Sequence, residues 1–126
     1  MIGYVVLGTN DLPRATAFYD TLLAEMGAKR LMQLGDRGYA WAASMDKPML
    51  CIMKPYDGRP ATVGNGVMAG IAVDSRAMVD RMHAKALELG GTDEGPPGPR
   101  ADGGDGFYAA YFRDLDGNKL DVFFYG

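Results

Sequence analysis

Near its start the chain runs Ile2-Gly3-Tyr4-Val5-Val6-Leu7-Gly8-Thr9-Asn10-Asp11-Leu12-Pro13-Arg14-Ala15-Thr16-Ala17-Phe18-Tyr19-Asp20. Residues 2–8 read as a strand, with Tyr4 and Val6 on one face and Val5 and Leu7 on the other, apolar on both. A helix follows from about Asp11. Asp11 is a good N-cap, and Pro13 falls in the first turn, where its missing N–H costs little. Ala15, Phe18, Leu22 and Met26 then recur at helical spacing until Gly27 stops the helix.

The same plan occurs again half a chain later. Gly66-Val67-Met68-Ala69-Gly70-Ile71-Ala72-Val73 repeats the strand, Asp74 or Ser75 caps a second helix, and Met78, Val79, Met82 and Ala86 form its apolar stripe before Gly90-Gly91. A constant offset takes Tyr4 to Met68, Phe18 to Met82, Leu23 to Leu87 and Gly27 to Gly91, the signature of an internal duplication. After each helix the pattern changes to strands: 28–34, 38–44 and 48–54 in the first half, then a short piece near Thr92, 107–113 and 119–125 in the second. Asp114-Leu115-Asp116-Gly117-Asn118 supplies the turn between the last two, with Gly117 or Asn118 able to take positive φ. Each half is therefore βαβββ. The fold class is α+β, with module one over 1–58 and module two over 65–126 of a single domain, 1–126. A four-stranded sheet with one helix has one uncovered face; it is expected to be buried against the second module or left concave, the two modules forming a cup-shaped mixed sheet with helices outside and a ligand on the uncovered face.

Composition narrows the function. The 126 residues suffice for one domain that buries roughly two thirds of its unfolded surface. The single cysteine, Cys51, excludes an internal disulfide, and with no signal segment the chain reads as cytoplasmic. No apolar run approaches the roughly 20 residues that span a bilayer, so no membrane partner is expected. A net charge of −3 with scattered Lys and Arg argues against nucleic acid. No phosphate-cradling glycine loop follows a strand; Gly103-Gly104-Asp105-Gly106 lacks the flanking strand and helix.

The stretch from Asp11 to Tyr19, similar to a D-L-x-R-x-x-x-F-Y start, and Arg113-Asp114-Leu115-Asp116-Gly117-Asn118, similar to an R-D-P-D-G-N hairpin, stand in order in a twofold repeat. Together they make the whole chain resemble the vicinal-oxygen-chelate superfamily: glyoxalase I, extradiol dioxygenases, fosfomycin-resistance transferases and bleomycin-binding proteins. The resemblance implies a homodimer. In metal-using members it implies ligands on the first strand of each module and on a last strand, usually His, His and Glu. Those positions fall on Tyr4, Met68 and Asp121, with Cys51 near the equivalent place in module one. Thioether and neutral phenol are poor ligands for Zn, Fe, Mn or Ni, so no metal and no other cofactor is expected. His83, the only histidine, lies on the second helix as a surface or edge residue.

Period-2 alternation puts Asp121 with Lys119 and Phe123, opposite the core pair Leu120 and Val122. It reads as a carboxylate that orients a ligand or acts as general base, or as a solvated edge position. Tyr4 reads as a ligand contact and catalytic partner, or as core packing with its hydroxyl on backbone. Met68, Met49 and Met53 suit an adaptable apolar pocket, or plain packing. Trp41 with Tyr39 on the third strand, and Tyr111 with Phe107 or Tyr108 with Phe112 on the seventh, offer aromatic walls for a planar ligand; which face of residues 107–113 turns inward is left open. Cys51 lies beside no cation that would activate it and reads as a buried, inert thiol. Residues 100–106 form a connector or a lid. The candidate site thus comprises Tyr4, Trp41, Cys51, Met53, Met68, Tyr108, Tyr111, Asp121 and Phe123, with Asp121 and Tyr4 as catalytic candidates. The leading reading is a small, partly apolar ligand bound without metal. One rival is a metal-dependent glyoxalase-like lyase or dioxygenase using Asp121 with atypical ligands; another is a non-catalytic sequestering or structural dimer.

Overall fold

A computed structural model describes residues 1–126 and divides the chain into two compact units, Met1–Asn65 and Gly66–Gly126. Each is a βαβββ module, as the duplication predicts. No helix is long and apolar enough to cross a membrane.

In the first module, β1 (Tyr4–Gly8) leads into α1 (Leu12–Ala24), followed by β2 (Lys29–Leu34), β3 (Gly38–Ala42) and β4 (Met49–Met53). The sheet runs β1-β4-β3-β2, with β1 parallel to β4 and the other pairs antiparallel. The Asp11 side chain caps α1 by accepting from the Arg14 amide at 3.1 Å. Gly27 takes φ +80° beyond the last turn, a conformation that a Cβ would strain. The buried stripe is Ala15, Phe18, Tyr19, Leu22 and Leu23. Met26 lies past the helix end, because the Ala28 amide has turned back to bond the Leu23 carbonyl.

The second module repeats this with β5 (Ala69–Ala72), α2 (Arg76–Glu88), β6 (Thr92–Pro99), a 3-10 turn at Ala101–Gly103, β7 (Phe107–Arg113) and β8 (Lys119–Tyr125). Its sheet runs β5-β8-β7-β6. Of the two candidate caps, Ser75 is the one used, accepting from the Met78 amide at 3.0 Å. The hairpin between β7 and β8 is tied by Asp114, whose carboxylate accepts from the amides of Asp116 and Asn118 and from the Asn118 side chain. Gly117, at φ +88°, takes the left-handed place.

β6 is longer than the short piece expected near Thr92. It accommodates Pro96, Pro97 and Pro99 because it is an edge strand, where a missing N–H breaks no ladder on the solvent side. Its two register shifts, at Asp93/Gly95 and Gly95/Gly98, absorb the rest.

Candidate functional site

Register assigns each strand residue to a face. In the second module Gly70, Asp121 and Tyr111 are paired neighbours, as are Ala72, Phe123 and Ala109. Their side chains point away from α2. Leu120, Val122 and Phe112, on the opposite face, are fully buried together with Val79, Met82 and Ala86 of α2. The open face of this sheet thus carries Asp121, Tyr111, Phe107 and Phe123. The rings of the last two pack as a tilted pair with centroids 5.6 Å apart.

Asp121 sits in a central strand rather than at an edge and is only 4% exposed, which overturns the solvated-edge alternative. Its carboxylate occupies the space left by the absent side chain at Gly70: a Cβ there would lie 2.7 Å from Asp121 Oδ1 and 3.4 Å from the Phe123 ring. Burial raises its pKa from 3.8 to about 6; its own backbone amide and the charge of Lys119 oppose the rise without cancelling it. Tyr111 is held above its ordinary value, first by desolvation and then by the negative charge of Asp121. Two cations border the Tyr111 ring, Arg100 at 5.5 Å and Lys119 at 5.8 Å from its centroid.

Tyr108 belongs to the other face. Its hydroxyl donates to Asp80 of α2 at 2.7 Å and Arg76 lies over its ring, so the inward choice on β7 is Phe107 and Tyr111. Trp41 is likewise not brought to an open face. It is 1% exposed, packs beside Tyr19 of α1 and donates its indole N–H to Asp20 at 2.9 Å. Alternation pairs Trp41 with Tyr39 correctly but does not say which face the helix takes.

The first module's open face carries Tyr4, Val6, Met49, Cys51 and Met53 by register. Tyr4 is two-thirds exposed, whereas Cys51 is buried. Burial pushes the Cys51 thiol up, away from the thiolate form. A cleft of about 370 Å3 opens at the end of this face, between Val6, Met53, Arg37, Lys54, Tyr56 and Pro60. Met68 lies just outside β5 and is half exposed.

His83 is not a surface residue. It is buried and its Nε2 lies 3.0 Å from Asp93, a pair between α2 and β6. Arg100, which begins the segment expected to be a connector or a lid, instead lies against β6; the glycines that precede it in Gly95-Pro96-Pro97-Gly98-Pro99-Arg100 are the sequence signal for that placement.

The residues at the superfamily's metal positions do not suit a divalent ion. They offer a phenol, a thioether, a carboxyl and a thiol kept protonated by burial, and no three His, Cys, Asp or Glu side chains gather into a ligand set.

Residues 1–122 match the family model described as Glyoxalase/Bleomycin resistance protein/Dioxygenase superfamily. Among solved structures, a glyoxalase/bleomycin resistance protein from Albidiferax ferrireducens T118 is 38% identical, with a TM-score of 0.87 and 98% of each chain covered. A glyoxalase/bleomycin resistance protein/dioxygenase family enzyme from Burkholderia phytofirmans PsJN has 17% identity and a TM-score of 0.74, covering 98% of each chain. A lactoylglutathione lyase from Agrobacterium tumefaciens has 23% identity and a TM-score of 0.69, over 98% of this chain and 92% of that one. The last two likenesses concern the fold alone. No curated protein matches the sequence. On the strength of the family match and the 38% identical relative, this chain belongs to the glyoxalase/bleomycin resistance protein/dioxygenase superfamily.

Proposed function

We propose that this protein binds a small, partly apolar molecule on the uncovered face of its second sheet, with Asp121 at the polar end and the Phe107–Phe123 pair against the apolar part. The observation that carries this reading is a carboxyl buried in a central strand among aromatic rings, with no neighbouring side chain donating a hydrogen bond to it. Holding an ionised carboxyl away from water with no side-chain donor is costly, and a ligand relieves that cost either by donating to the carboxylate or by accepting from the protonated acid. A carboxyl titrating at about 6 can also accept or release a proton near neutral pH, which makes Asp121 the acid–base group of any reaction here. Tyr4, the other catalytic candidate, stands on the first module's open face and takes no part in this reading. The protein is further proposed to be a homodimer.

The test is a thermal-shift screen of small carbonyl, carboxylate and aromatic compounds against wild type and Asp121→Asn. Compounds that stabilise the wild type and the variant to clearly different extents support the reading, donors losing their shift in the variant and anions gaining at neutral pH. If every stabilising compound shifts both proteins equally, Asp121 is no part of the site.

A further inference from the structure

We propose that the ligand of this face carries a carboxylate or similar oxyanion, received by Arg100 with Lys119 beside it, so that the preferred class is an aromatic or branched-alkyl carboxylate. This rests on the binding reading above and names its substrate class.

Arg100 is built into the sheet. Gly95 pairs with Tyr111 and Gly98 with Ala109, so both glycines lie on the open face. A Cβ at Gly95 would stand 3.3 Å from one Arg100 terminal nitrogen, and one at Gly98 would stand 3.1 Å from the other. The two glycines clear a slot in which the guanidinium lies across β6. There Nη1 donates to the Pro99 carbonyl at 3.2 Å and Nη2 to the Pro96 carbonyl. The prolines stiffen the strand that presents these carbonyls. Two of the five guanidinium N–H groups are used in this anchoring; the others are free to donate. Held in a fixed plane, a guanidinium recognises a carboxylate with little ordering cost.

Its charge is also uncompensated. Arg113, the next cation along the face, is engaged by Glu94. Arg100 forms no ion pair, and neither does Lys119; both stand over the Tyr111 ring. The charged and titratable groups around that ring are Arg100, Lys119, Asp121 and, on the 3-10 turn, Asp102; β5 contributes only Gly70 and Ala72 to the face. An oxyanion received by the Arg100 guanidinium lies on the same sheet face as the Phe107–Phe123 pair, which takes its apolar body. Asp121 then sets the pH dependence. Ionised, it repels the anion; protonated, it donates to it. Since Asp121 takes up its proton at about pH 6, while a simple ligand carboxyl titrates near ~4, binding strengthens as pH falls from 8 to 5.

The test uses phenylacetate and its neutral isostere phenylacetamide, titrated by NMR into the intact 126-residue chain. Wild type should bind phenylacetate roughly tenfold more tightly, as expected for charge-assisted hydrogen bonds. Arg100→Gln should erase that preference, weakening phenylacetate far more than phenylacetamide, and Arg100→Lys should restore part of it. Asp121→Asn should flatten the pH dependence. Equal affinity for acid and amide in wild type overturns the proposal even if both compounds lose affinity in Asp121→Asn, an outcome that leaves the binding reading standing. If neither compound perturbs Tyr111, Phe107 or Phe123 and the screen finds no Asp121-dependent compound, the binding reading fails as well.

Discussion

Asp121 is destabilising where it sits, and the sign follows from its pKa. A carboxyl raised from 3.8 to about 6 binds its proton more tightly in the folded protein. Its burial is therefore tolerated fully below pH 4, and the penalty grows as pH rises toward 6 and stays constant above. The shift converts to a penalty on the order of 3 kcal/mol at pH 7. Asp121→Asn is expected to be more stable than wild type at pH 7–8, with the difference vanishing near pH 4; urea unfolding across that range measures it. A constant difference at all pH values would mean the carboxyl titrates normally. Trp41 shows the opposite case, a residue suited to a binding wall that serves the core. Trp41→Ala should cost about 3–5 kcal/mol and leave ligand binding per folded molecule unchanged, read by the same unfolding curves and by titration of the refolded protein.

At the scale of elements, what the sequence made legible is what depends on local chemistry. Helix starts, the Gly27 stop, the hairpin turn and strand alternation all follow from residues within a few positions of one another. What stayed open depends on a neighbour in space. Alternation placed Phe107 with Tyr111 and Tyr108 with Phe112, but only Asp80 of α2, bonded to Tyr108, decides which set the helix covers. Asp121 read equally well as edge or interior because strand order, which puts β8 between β5 and β7, is not written in β8 itself. β6 was the least legible, since its prolines argue against a strand until its edge position is known. The cap of α2 gives a local test: Ser75→Ala removes the bond to the Met78 amide and should cost about 1 kcal/mol. Asp74→Ala should change stability by only a few tenths. Chemical denaturation of both variants compares them directly, and equal losses would assign the cap to both residues.

At the scale of the molecule, the duplication explains both the repeated fold and the difference between its halves. Val6 pairs with Cys51 in one module as Gly70 pairs with Asp121 in the other; equivalent places hold an inert thiol and a perturbed carboxyl, so the polar site belongs to the second module alone. The first module's open face is apolar instead, and Tyr4, Val6 and Met32 on it are 67%, 47% and 41% exposed. Exposed apolar residues gathered on one sheet face, beside the unpaired edges of β1 and β2, form a surface suited to burial by association. A closed twofold dimer covers such a patch on both copies at once. Sedimentation equilibrium at micromolar concentration is expected to give twice the mass of the chain. Val6→Glu, which puts a charge on that face without entering the core, should shift the protein toward monomer while its circular dichroism stays native. A wild-type protein that sediments as a monomer at tens of micromolar leaves the patch to another partner.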